Sequence, residues 1–158
     1  MKKECLNDII EKRMLMKKIA IFFLIITVIV VGMSYIYLNY KVSYNQAKQK
    51  NKQFESYYNE EVYGTDLVTV INKAVDNNLS NEVEKNQKGF FQNNEINSIN
   101  IDIKIIDNDT VYKMETIYNS GIDNFVQYYG QIKFKCTKIE YHKDTGKIKY
   151  LLFEQITQ

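Results

Sequence analysis

The side chains with the sharpest chemistry are few. Beyond the N-terminal apolar stretch, Cys136 is the one thiol and His142 the one imidazole. A thiol and an imidazole become a nucleophile and its base when they lie ~3 Å apart. These two share Gln131–His142, which alternates as a strand does, and at ~3.3 Å per residue that sets them ~20 Å apart. As a catalytic dyad the pair is excluded, and Cys136 is expected to be a small buried hydrophobe. Asp107-x-Asp109 starts like a calcium loop, but the sixth and twelfth positions, which need Gly and Glu, are Tyr112 and Tyr118. The acidic pair is read as turn chemistry. There is no Gly-rich phosphate loop, no His cluster and no Ser in a nucleophile elbow. Glu60-Glu61 and Glu82/Glu84 sit in solvated stretches. One Cys and one His are too few ligands for zinc. The expectation is a chain that is not an enzyme, with no catalytic residue, no cofactor and no metal.

The stretch that positions everything else is Ile19 to Tyr40, 22 residues without a charge. At ~1.5 Å per residue its most apolar part, Ile19–Leu38, is ~30 Å long as a helix, the thickness of a bilayer core. Residues 1–18 carry six Lys/Arg and three Asp/Glu, a net of +3; residues 41–158 carry 15 and 16, a net of −1. The positive-inside bias places the N-terminus in the cytoplasm and the C-terminal part outside the cell membrane. Lys17, Lys18 and Lys41 flank the span, and Tyr35, Tyr37 and Tyr40 form an aromatic belt at the interface. The stretch is longer than a secretory h-region, and at the exit Met33-Ser34-Tyr35 Gly32 and Ser34 form only a poor cleavage site, so cleavage is the minor alternative and the span is read as an uncleaved signal anchor. Cys5 and Cys136 fall on opposite sides of it and form no intramolecular disulfide. With the exported part near neutral, nucleic acid is not an expected partner.

Four regions follow: a cytoplasmic basic tail (1–18), the transmembrane anchor (19–40), a helical stalk (41–60) and an extracytoplasmic domain (61–158). The stalk has no Gly or Pro and is rich in Gln, Lys and Glu, which favour helix. Tyr44, Ala47, Phe54 and Tyr58 lie near one side of it, interrupted by Lys50 and Asn51, and Gly64 breaks it. Thr65 is expected to cap the next helix, whose Leu67, Val68, Ile71, Ala74 and Val75 share a face and which ends at Asp76-Asn77-Asn78. Leu79–Glu95 reads as a loop with a short strand near Phe90-Phe91. Ile99, Ile101, Ile103 and Ile105 alternate with polar residues, a half-buried strand over 96–107. Val111–Tyr118 is expected to return as a second strand, Ile122–Tyr129 to form two turns of helix, and Gln131–His142 to be a strand with a bulge near Thr137-Lys138. Lys143-Asp144-Thr145-Gly146 is a hairpin turn before the last strand, 147–156. The fold class is α+β: an amphipathic helix on a mainly antiparallel sheet of about four strands.

Tyr63-Gly64-Thr65-Asp66-Leu67 to Asn78, and Phe134-Lys135-Cys136 through Ile139-Glu140-Tyr141-His142 to Gly146, resemble uncharacterised single-span envelope proteins of low-GC Gram-positive bacteria. The layout of apolar helix, polar helical extension and antiparallel sheet also resembles that of type IV pilins and pseudopilins, and of bitopic conjugation components. The resemblance implies a secretion, pilus or conjugation assembly component that works through protein partners or as a homo-oligomer. Pilins carry a Glu five places after the processing Gly or Ala; after Ala20 that place is Ile25. Expected partner contacts are Gly32, where a small residue permits close helix approach, and the stalk aromatics Phe54 and Tyr58. Tyr112, Tyr118, Tyr128, Tyr141 and Tyr150 would mark an interface if exposed together. The competing expectation is an extracytoplasmic ligand-binding or sensing domain with a pocket between helix 65–77 and the sheet.

Overall fold

The structure is a computed structural model that describes residues 2–106 and 110–157, with side chains from Glu11 onward. The expected Asp107–Asp109 turn lies outside the described residues. The chain divides into two compact units, residues 1–43 and Tyr44–Gln158. The first helix, α1 (Lys2–Glu55), contributes to both.

In the first unit every described side chain from Glu11 to Ser43 is exposed. The Thr27 and Ser34 hydroxyls inside the apolar stretch are turned back onto their own helix: Thr27 Oγ1 donates to the Phe23 carbonyl at 2.8 Å and Ser34 Oγ to that of Val30 at 2.8 Å. That removes two polar groups from the outer surface of the apolar stretch.

The second unit is α+β, with a mixed sheet of five strands among the described residues. Its elements after α1 are β1 (Glu61–Tyr63), α2 (Gly64–Ser80), β2 (Asn100–Ile105), β3 (Thr110–Lys113), α3 (Met114–Ser120), α4 (Ile122–Tyr129), β4 (Lys133–Tyr141) and β5 (Ile148–Gln155). The strand order is β1-β4-β5-β2-β3. Three neighbouring pairs are antiparallel, and β2 runs parallel to β5. The expected sheet of about four strands thus gains β1, too short for its period to show, and a parallel pair created because α3 and α4 carry the chain back across the sheet.

One sheet face forms the core. Ile101, Ile103 and Ile105 of β2, Leu151 and Phe153 of β5, and Phe134 and Cys136 of β4 pack with Leu67, Val70, Ile71, Ala74 and Val75 of α2. Alternation along each strand leaves the other face to solvent. The β4 register slips between Cys136 and Lys138, the expected bulge, and Gly146 takes φ +64° in the hairpin turn as its position demands.

Three elements differ from the sequence expectation. The helix 65–77 begins one residue early and runs on to Ser80. Its N-terminal donors need no Thr65 hydroxyl, because Gly64 N–H bonds to the Ile132 carbonyl at 2.9 Å and Thr65 N–H to that of Gly130 at 3.3 Å. Gly64 is no mere breaker: a Cβ there would stand 2.1 Å from the Tyr129 carbonyl oxygen. Asn78 does not end the helix, because it faces inward and clamps β2's approach, donating to the Ile99 carbonyl at 2.7 Å and accepting from Ile99 N–H at 2.8 Å. The strand expected over 111–118 stops at Lys113. Met114, Glu115 and Ile117 turn inward as α3, where the Glu115 carboxylate accepts from Phe91 N–H at 3.1 Å.

The expected stalk 41–60 is helical to Glu55, and its last turns are built into the domain. Ala47, Asn51 and Phe54 are buried on one side of α1. Asn51, read from sequence as an interruption of the stripe, belongs to it: its side chain donates to the Gly146 carbonyl at 2.8 Å and accepts from Ile148 N–H at 3.0 Å.

Candidate functional site

Lys17, Lys18, Tyr35, Tyr37, Tyr40 and Lys41 are all exposed on α1, as is Gly32, where an added Cβ would meet nothing within 4 Å. Of the two stalk aromatics, Phe54 is 1% exposed and belongs to the domain core, so it is a packing residue of this chain. Tyr58 lies past the end of α1 and is 52% exposed. Of the pair, Tyr58 alone is open to a partner.

Cys136 and His142 are both buried, Cys136 within β4 and His142 just past its C-terminal end, six residues apart along the chain. The Cys136 thiol is pushed up to about 11, mainly by burial, so it stays protonated and unreactive at neutral pH. His142 holds its Nε2 at 2.8 Å from the Ser98 carbonyl, which makes that nitrogen the protonated one. It fastens the loop before β2 to the β4–β5 turn, where Thr145 Oγ1 also donates to the Ile96 carbonyl at 2.7 Å. Among the described residues no three His, Cys, Asp or Glu side chains converge as metal ligands would.

The tyrosines named from sequence do not gather into one patch. Tyr141 donates to Glu55 at 3.0 Å, and Tyr150 to Asp102 at 3.3 Å. Burial and then the Asp102 carboxylate push the Tyr150 hydroxyl up to about 12. Tyr112 and Tyr128 line a groove between β3, α3 and α4 with Ile117, Phe125 and Tyr129. Its volume is about 140 Å³. Ligand pockets run from about 300 Å³ upward, so the groove is undersized for a small-molecule site, and it does not lie where the helix–sheet pocket was expected.

The feature hidden from the linear sequence is the bare sheet face. Strand register sets Glu61 beside Lys135, Lys135 beside Glu154, and Glu154 beside Lys104. One row across β1, β4, β5 and β2 therefore reads acid, base, acid, base. Lys104 stands 4.0 Å from Glu154, and Lys133 reaches Glu61 at 3.0 Å. The next positions add Lys113 with Asp102 at 3.2 Å and Lys138 with Glu140 at 2.6 Å. Glu61 holds the Lys133 ammonium above its ordinary value, by hydrogen bond first and by charge second. Tyr150 and Leu152, both half-buried, occupy the middle of this face. Exposed pairs of this kind add ~0–1 kcal/mol each to stability.

Compared with family models, with curated proteins and with solved structures, the chain matches none.

Proposed function

We propose that the chain is a single-pass membrane protein of the cell envelope whose α+β domain stands outside the membrane and acts through protein–protein contacts, as a component of a pilin-like, secretion or conjugation assembly. One observation carries the reading. Ile19–Tyr40 is helical with its entire apolar surface uncovered, whereas the domain encloses a core of its own. An exposed apolar surface of that length needs lipid around it. The net of +3 before the span and −1 after it supports the inward N-terminus. The place of the pilin Glu is taken by Ile25, which supports a helix that remains an anchor. The most nucleophilic side chain of the domain, Cys136, is sealed in its core, which supports an interaction role over a thiol chemistry.

The test is made in intact cells. The chain should sediment with membranes and resist carbonate extraction. Single cysteines at the exposed positions Gly32 and Tyr58 (Gly32→Cys and Tyr58→Cys), each in a Cys5→Ser background, should crosslink to a protein partner or to a second copy. Release of the chain by carbonate would remove the anchor. Absence of any crosslinked partner from both positions would remove the assembly reading.

A further inference from the structure

We propose that the bare face of the sheet is a self-association surface for a second copy of this chain, docked face to face about a two-fold axis that runs along the strands between β4 and β5. The inference deepens the protein-contact reading above and rests on it.

The row Glu61, Lys135, Glu154, Lys104 carries the proposal, because its order of charges reverses into its own complement. A two-fold axis along the strands, placed at the middle of the row, sets β1 over the partner's β2 and β4 over the partner's β5. Glu61 then faces Lys104 of the second copy, Lys135 faces Glu154, and the same contacts recur by symmetry. A closed isologous dimer needs this kind of self-complementary patch.

Other placements fail on charge. An axis along the row sets every residue over its own copy, acid on acid and base on base. Moving the axis onto β5 sets Lys135 over Lys104. Only the position between β4 and β5 opposes all four charges with their opposites.

Along the same axis Lys138 meets Leu152 and Glu140 meets Tyr150, so no like charges are opposed there, and the methylene stems of Lys138 and Glu140 lie over the two half-buried side chains. Axis and strands being parallel, the sheets stack in the aligned manner, ~10 Å apart, a gap that Lys and Glu side chains from both sides span. Anchoring in one membrane raises the effective concentration of copies, so a polar contact of modest strength suffices.

The experiment uses the full chain in lipid vesicles, with donor- and acceptor-labelled copies and energy transfer as the readout. Lys135→Glu alone opposes acid to acid at both symmetry-related contacts, and Glu154→Lys alone opposes base to base. Each should self-associate about tenfold more weakly than the unaltered chain. A mixture of the two variants restores every opposition and should associate as the unaltered chain does, which also shows that both variants are folded. The double variant Lys135→Glu/Glu154→Lys should self-associate for the same reason. The proposal is overturned if the unaltered chain shows no transfer, if the single reversals associate undiminished, or if the mixture fails to recover. In any of those cases a crosslink in cells from Gly32 or Tyr58 to a different protein would leave the broader reading standing.

Discussion

Asn51 gives the most informative test of how α1 enters the domain. The residue is 6% exposed and joins the last turns of α1 to the β4–β5 hairpin through two bonds, to the Gly146 carbonyl and from the Ile148 N–H. Asn51→Ala removes both. Gly146 is exposed, so water replaces the amide at its carbonyl. Ile148 is 1% exposed, and its N–H is left without an acceptor. A net hydrogen bond contributes about 1 kcal/mol and an orphaned buried donor costs about 1–3 kcal/mol. The expected loss is therefore about 2–4 kcal/mol, a large fraction of a domain's stability. Urea unfolding of the full chain in detergent, followed by near-ultraviolet dichroism of the tyrosines, reads this as a lower midpoint with an unchanged slope. Gln53→Ala, an exposed position on the same turns, should stay within about 0.5 kcal/mol. A loss below about 0.5 kcal/mol for Asn51→Ala would mean that these turns are a stalk outside the cooperative domain.

Further outcomes follow from the same packing. Gly64→Ala drives a Cβ to 2.1 Å from the Tyr129 oxygen and 2.7 Å from its carbon; since both are backbone atoms, the loss should exceed the ~1–3 kcal/mol of ordinary overpacking, seen as a lowered Tm, and an unchanged Tm would refute the close approach. Phe54→Ala should cost about 3–5 kcal/mol, as a large side chain removed from a closed core does, and a surface-like effect would contradict its burial. The Cys136 thiol, pushed up from 9.0 to about 11, and the Tyr150 hydroxyl, pushed up from 10.0 to about 12, both bind their protons more tightly folded than unfolded. Stability from these groups is fully present below pH 9 and is lost as pH rises through 9–12, so Tm should fall over that range, and a flat or rising Tm would contradict the linkage. In a Cys5→Ser background, thiol reagents at pH 8 should reach Cys136 only on unfolding; rapid labelling of the native chain would contradict its burial.

How much of this was legible in the sequence depends on the range of the interaction that fixed each element. The long apolar helix, the face of α2, the alternation of β2, the bulge in β4 and the turn at Gly146 are set by local pattern, and local pattern revealed them. Asn51 read as a polar interruption and Asn78 as a helix end because their value lies in backbone groups of β5 and of the approach to β2, far along the chain. Val111–Tyr118 satisfies a strand and a helix pattern at once; tertiary contacts of Met114 and Glu115 decide for helix after Lys113. β1 is three residues long, too few for a period to appear. The charge ladder was invisible for a different reason. Glu61, Lys135, Glu154 and Lys104 become neighbours only through the strand order β1-β4-β5-β2, and the parallel β2–β5 pair in that order cannot be read from alternation.

The central claim, an anchored domain displayed outside the cell, is tested most directly by labelling intact cells with a membrane-impermeant maleimide. Tyr128 is 71% exposed on the domain, whereas Cys5 lies in the basic tail before the span. In a Cys5→Ser background, Tyr128→Cys should label in intact cells. Cys5 of the unaltered chain should label only after the membrane is permeabilised. Labelling of Cys5 in intact cells, with Tyr128→Cys protected until permeabilisation, would contradict the account.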